Sequence, residues 1–137
     1  MSPDNTGQPE MKKLPPAHIL IVDDEPILLD MASTMLTRLG CTVDTADNGK
    51  TAINIYKEKQ NTINVIILDM IMPVLDGKAT YLELKKTNPD VKVLLASGFS
   101  LDASAQKLLS EGIAGFLQKP YRMQELYNKL SVVLAPV

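Results

Sequence analysis

From His18 onward, short unbroken apolar runs alternate with longer stretches in which apolar residues recur every three or four positions. The runs are HILIV (18–22), TVDTA (42–46, weaker), VIIL (65–68), VKVLLA (91–96) and AGFLQ (114–118). Runs this short, closed by turn residues, predict strands buried on both faces. Between them the spacing predicts helices. Leu28, Met31, Ala32, Met35 and Leu39 form one stripe, opened by Asp23-Asp24-Glu25-Pro26 and closed by Gly40. Proline is tolerated in a first helical turn, and Asp24 is placed to cap it. Asn48-Gly49 leads into a helix with Ala52, Ile55 and Tyr56. Asp76-Gly77 leads into one with Tyr81 and Leu84 that ends before Asn88-Pro89. A fourth helix is expected over Leu101, Ala105, Leu108 and Leu109, closed by Gly112. Met123, Leu126, Tyr127, Leu130, Val133 and Leu134 give the clearest stripe, on a C-terminal helix.

Five strands alternating with five helices predict an α/β fold, a doubly wound five-stranded parallel sheet covered on both faces. Right-handed crossovers leave all the carboxyl ends of the strands on one edge. In the order 2-1-3-4-5 the first and third strands are neighbours at the switch point, where open α/β sheets bind their ligands.

The polar residues at those ends change the picture. Asp23 and Asp24 follow the first strand, Asp69 the third, Ser97 the fourth and Lys119 the fifth. Singly each has an ordinary reading: a helix cap, a turn, a solvated lysine. Together they bring three carboxylates, a hydroxyl and an ammonium to one crevice. Close carboxylates repel, and a divalent cation relieves that. An oxygen-only donor set suits Mg²⁺ or Mn²⁺ rather than Zn²⁺. With Lys119 and Ser97 the site becomes a receptacle for a phosphoryl group, its charge offset during in-line transfer to a carboxylate. Asp69 stands alone at its strand end and is the candidate nucleophile, whereas the adjacent Asp23 and Asp24 suit metal binding. Asp76 lies in a turn, and Asp44 and Asp47 belong to the peripheral second strand and its loop.

Bulk properties narrow the classes. The chain has 137 residues, enough for one domain with its own core, and a formal net charge of -2. No basic stripe marks a nucleic-acid surface. No apolar run approaches a membrane span, and residues 1–16 lack the apolar centre of a signal peptide. They read as a disordered leader or linker before a domain over 17–137. The single Cys41 excludes an internal disulfide and fits a cytoplasmic protein.

The segments ILIVDDEP, VIILDMIMPVLDG, VLLASGFS and GFLQKPY, in this order, resemble the receiver domain of bacterial two-component response regulators, over about residues 17–135. The wording of the last two is similar to receivers attached to hybrid sensor kinases. The resemblance implies a flavodoxin-like receiver fold acting as a phosphorelay switch rather than an enzyme. Asp69 would accept a phosphoryl group from a histidine kinase or phosphotransfer protein, forming an aspartyl-phosphate. Asp23, Asp24, Asp69 and the backbone carbonyl of Ile71 would hold Mg²⁺. Lys119, before the family's cis proline, would pair with the phosphoryl group. Ser97 would be the switch hydroxyl and Phe116 the aromatic that follows it. Downstream targets would meet the face of the fourth helix, fifth strand and fifth helix, and the protein would form a homodimer on phosphorylation. Ser97 stands where threonine is commoner, Phe116 where tyrosine is frequent, and Ile71 where many relatives are polar. Three other readings compete. A flavodoxin-like electron carrier would have its cofactor phosphate repelled by Asp23-Asp24-Glu25. A dehalogenase-type phosphatase needs a second acid that Asp69-Met70-Ile71 lacks. A receiver-like interaction module without phosphorylation usually lacks an acid or the lysine, and none is missing.

Overall fold

The computed structural model of the protein describes residues 14–70, 72, 75–98, 107 and 110–135. Within them five parallel strands, β1 (His18–Val22), β2 (Thr42–Ala46), β3 (Val65–Asp69), β4 (Val93–Ser97) and β5 (Gly115–Gln118), form one sheet in the order β2-β1-β3-β4-β5. Four helices are described: α1 (Pro26–Arg38), α2 (Gly49–Lys59), α3 (Gly77–Thr87) and α4 (Met123–Val133). The expected helix over 101–109 falls almost wholly outside the described residues, with Lys107 and Ser110 alone seen as helical.

Strand alternation divides the core in two. Leu20, Val22, Ile66, Leu68, Val93 and Leu95 face α2 and α3, meeting Ala52, Tyr56, Tyr81 and Leu84. Ile19, Ile21, Val65, Ile67, Leu94 and Ala96 face α1 and α4, meeting Ala32, Leu36, Leu126 and Leu130. The central strands β1, β3 and β4 are dry on both faces, which is why they read as continuous apolar runs. Each such side chain removed from water contributes about 1.5–3 kcal/mol, so the three central strands are the rigid base on which the site stands.

Local chemistry sets the helix ends. Asn48 caps α2 through Thr51 N–H at 2.9 Å, and Asp76 caps α3 through Ala79 N–H at 2.9 Å. Glu125 accepts the Arg122 N–H at 2.8 Å at the start of α4. Gly40, with φ of 93°, turns the chain after α1 as expected. The expected cap at Asp24 is not made. Glu25 occupies the N-cap position of α1 with no side-chain cap, and Asp23 and Asp24 lie with Asp69 at the sheet edge.

The packed chain starts earlier than residue 17. Leu14 is buried against Leu36, Leu39 and Cys41, and its N–H donates to the Leu39 carbonyl at 2.8 Å. At the same end of the sheet, Lys92 Nζ donates to the Val133 carbonyl at the close of α4. No helix among the described residues is long and apolar enough to cross a membrane.

Candidate functional site

The registers Val22↔Leu68, Asp69↔Ala96 and Ser97↔Gln118 bring the ends of four strands into line. Asp23 follows β1, held by its N–H on the Ala46 carbonyl at 3.1 Å. Asp69 is the last residue of β3 and Ser97 the last of β4. Lys119 follows β5, its N–H on the Ser97 carbonyl at 2.7 Å. The Lys119–Pro120 peptide is cis.

Carboxylate oxygens of Asp23, Asp24 and Asp69 lie within 4.8 Å of one another. Asp23 and Asp69 are only 5% and 4% exposed, while Asp24 lies nearer solvent. Lys119 Nζ sits between them, 2.9 Å from Asp23 Oδ2 and 3.3 Å from Asp69 Oδ2. Burial pulls the Lys119 ammonium down, but its hydrogen bond to Asp23 and the charges of Asp69 and Asp23 outweigh this and hold it above the usual lysine value. Lys119 is therefore a fixed cation. Burial, and next the negative charge of Asp23, pushes the Tyr121 phenol up to about 12, so it stays a neutral wall. The second oxygen of Asp23 accepts the Glu25 N–H at 3.0 Å, which locks that carboxylate from both sides.

Asp24, Asp69 and Lys119 floor an open cleft of about 460 Å³ walled by Leu28, Gly98 and Pro120. Four carboxylates, those of Asp23, Asp24, Glu25 and Asp69, gather around one ammonium among the described residues, leaving net negative charge that a hard divalent cation would neutralise. The all-oxygen donors and the open cleft fit Mg²⁺ or Mn²⁺. Asp44, set aside from the site on sequence, is confirmed as remote from it. It pairs with His18 Nε2 at 2.6 Å and Lys59 Nζ at 3.0 Å on the sheet's edge strand.

Phe116 is half-buried, beside the α2–α3 core, and pairs in register with Leu95. Ile71, expected to offer its carbonyl to the metal, lies outside the described residues. Two residues escaped sequence reasoning. Glu25 turns its side chain into the cleft, with Oε1 3.7 Å from Lys119 Nζ. Gly77 packs under the Asp69 loop, where an added Cβ would lie 2.6 Å from the Asp69 carbonyl oxygen. The Asp-Gly pair signals a turn, and nothing in the sequence adds that the turn is wedged beneath Asp69.

A doubly wound sheet with an acid triad and a lysine at its switch point defines the phosphoacceptor class of α/β domains. The model of the response regulator receiver domain matches residues 19–131, and the chain belongs to that family. It is 33% identical over 118 residues to the sensor kinase CckA of Brucella abortus, covering 86% of this chain and 12% of that protein. It is 29% identical to the transcriptional regulatory protein GlrR of Escherichia coli, covering 87% of this chain and 26% of that one. The chain thus spans well under two thirds of these relatives. Among solved structures it is similar to a response regulator receiver domain protein from Clostridium thermocellum, with TM-score 0.82, 32% identity, and coverage of 86% of this chain and 94% of the other.

Proposed function

We propose that Asp69 is the phosphoacceptor of this receiver domain, charged by a histidine kinase or phosphotransfer protein. The observation that carries the reading is the Lys119 ammonium shared by Asp23 and Asp69 across the switch point. It already sits where a phosphoryl oxygen on Asp69 would need a counter-charge. One Asp69 carboxylate oxygen attacks phosphorus as the bond to the donor histidine nitrogen breaks, and the imidazole leaves with the proton it carries. Mg²⁺, held by Asp23, Asp24, Asp69 and the Ile71 carbonyl, would supply charge neutralisation on the phosphoryl oxygens. Lys119 and the Ser97 hydroxyl orient the same oxygens from the other strands.

The product adds roughly -1.5 to -2 units of charge to the cleft. That favours a state in which Ser97 and Lys119 close on the phosphoryl group, and the Phe116 side chain repacks on β5. The output face is then the segment after Ser97 with β5 and α4, which would also serve a phosphorylation-dependent homodimer. The donor protein must cover the cleft mouth. Beside that mouth lies an apolar strip of α1, with Ile27 74% and Met31 47% exposed. The signalling unit is residues 17–137, with Leu14 anchoring the linker 1–16 to it. It works in the cytoplasm and turns over no substrate but its own phosphoryl group.

Incubation with Mg²⁺ and acetyl phosphate, followed by intact mass measurement and peptide mapping, tests this. One base-labile phosphoryl group on Asp69 is expected, absent with a chelator and in Asp69→Asn. An unlabelled wild type would leave a phosphorylation-independent interaction module. A label elsewhere would reassign the acceptor.

A further inference from the structure

Glu25 does no structural work that a glutamate is needed for. Its N-cap position favours short side chains that bond the first turn, and it makes no such bond. Its service to Asp23 comes from the backbone N–H, which any residue but proline supplies. The side chain is 63% exposed, yet its carboxylate reaches 3.7 Å from Lys119 Nζ and lines the cleft with Asp24, Leu28, Gly98 and Pro120.

In-line transfer places the leaving group on the far side of phosphorus from the attacking oxygen. Asp69 is at the buried floor, so the leaving group must point to the open mouth. Glu25 stands at that mouth. Asp24 lines it too but is turned into the acid cluster with Asp23 and Asp69, and the remaining described walls at Leu28, Gly98 and Pro120 carry no charge. A leaving group that departs as an anion therefore meets a fixed carboxylate. One that departs as a neutral amine from a protonated nitrogen is attracted to it beforehand.

We infer that Glu25 is a specificity-determining residue, which selects phosphoramidate-class donors, with a protonated nitrogen on phosphorus, over acyl phosphates. The inference rests on Asp69 as acceptor. For phosphoramidate, the Asp69 O–P bond forms as P–N breaks, and nitrogen leaves as ammonia with the protons it already holds. For acetyl phosphate, the Asp69 O–P bond forms as the acetyl O–P bond breaks, and acetate leaves with the electron pair. The first exchange releases no new anion at the mouth, whereas the second does.

The test is the ratio of the two phosphorylation rate constants, acetyl phosphate over phosphoramidate, in wild type, Glu25→Gln and Glu25→Asp. An exposed charge of this kind is worth about a threefold change. The ratio is expected to rise about threefold in Glu25→Gln and stay near the wild-type value in Glu25→Asp. The Glu25→Gln difference should collapse at high ionic strength, where an exposed carboxylate is screened. A ratio unmoved in Glu25→Gln, with Asp69 labelled by both donors, would overturn the inference. So would equal acceleration of both donors, which would mark Glu25 as a simple competitor for Lys119. Failure of either donor to label wild-type Asp69 would instead overturn the acceptor assignment beneath it.

Discussion

Replacing Gly77 by alanine puts the loop after Asp69 under a measurable load. Gly77 is the first residue of α3, and its N–H donates to the Met70 carbonyl at 2.9 Å. A Cβ there would lie 2.6 Å from both the Asp69 carbonyl oxygen and Met70 Cα, where ordinary contact begins at 3.4 Å. The shortfall is about 0.8 Å, and both obstructing atoms are backbone, so no rotamer change relieves it. Either the first turn of α3 or the end of β3 must move. Alanine contributes at most about 1 kcal/mol through helix preference and lost unfolded-state freedom. Overpacking of this size costs about 1–3 kcal/mol. The net expectation is destabilisation by about 1–2 kcal/mol, a fall of roughly 1 M in the urea midpoint. A shift approaching 1 Å at Asp69 also disturbs its 3.3 Å contact with Lys119, and misplacement on that scale costs up to about 10²-fold in rate. Urea titration with Mg²⁺ present and the initial rate of acetyl phosphate labelling measure the two effects. Gly98→Ala, whose methyl would meet nothing within 4 Å, is the stability control. Wild-type midpoint and rate in Gly77→Ala would refute the close-approach argument.

Three further outcomes follow from the same geometry. Lys119→Met leaves the buried Asp23 and Asp69 without their ammonium and should destabilise the metal-free protein by about 3 kcal/mol. Mg²⁺ should then raise its melting temperature more than that of the wild type, and equal increments would contradict the shared-cation reading. Burial raises the Asp44 carboxyl, but hydrogen bonds from Lys59 and His18 outweigh it and hold the group below its ordinary 3.8. A depressed folded-state value means the stabilisation is present above pH 3.8 and lost as pH falls through the folded value. Asp44→Asn should therefore be less stable than wild type at neutral pH, by under about 1 kcal/mol for so exposed a group, and the gap should close in acid. A gap independent of pH in urea titrations would argue against it. Met31→Asp should slow phosphotransfer from a histidine-phosphorylated protein while acetyl phosphate still labels Asp69. Equal loss with both donors would place Met31 in the fold rather than in donor contact.

The three central strands and the polar residues gathered at their ends were legible because a two-faced buried sheet forces unbroken apolar runs there, and polar residues appear where those runs stop. The same continuity hid which core each strand residue enters, since Ile66 and Ile67 are chemically alike and face opposite ways. Val91 was expected to be in the fourth strand. It is buried, yet its N–H closes a turn on the Asn88 carbonyl and pairing starts at Val93. Its apolar character reports burial, not extension. Asp24 has a capping residue type, but the helix starts one residue later, with Glu25 at the N-cap, and Asp24 sits with Asp23 and Asp69 instead. Leu14 carried no signal at all. One apolar residue among prolines and lysines has no period, and its partner Leu39 is known only once the chain has folded back.

The Leu14–Leu39 and Lys92–Val133 hydrogen bonds lie at the amino ends of the strands, whereas the cleft lies at the carboxyl ends. Both leads into the domain, at Leu14 and Val133, therefore lie at the pole opposite the acidic cleft. Polypeptide spliced on at either side can grow without shadowing the cleft mouth, and a donor can approach from the free hemisphere. That layout makes the unit a cassette, pluggable into long and short chains alike.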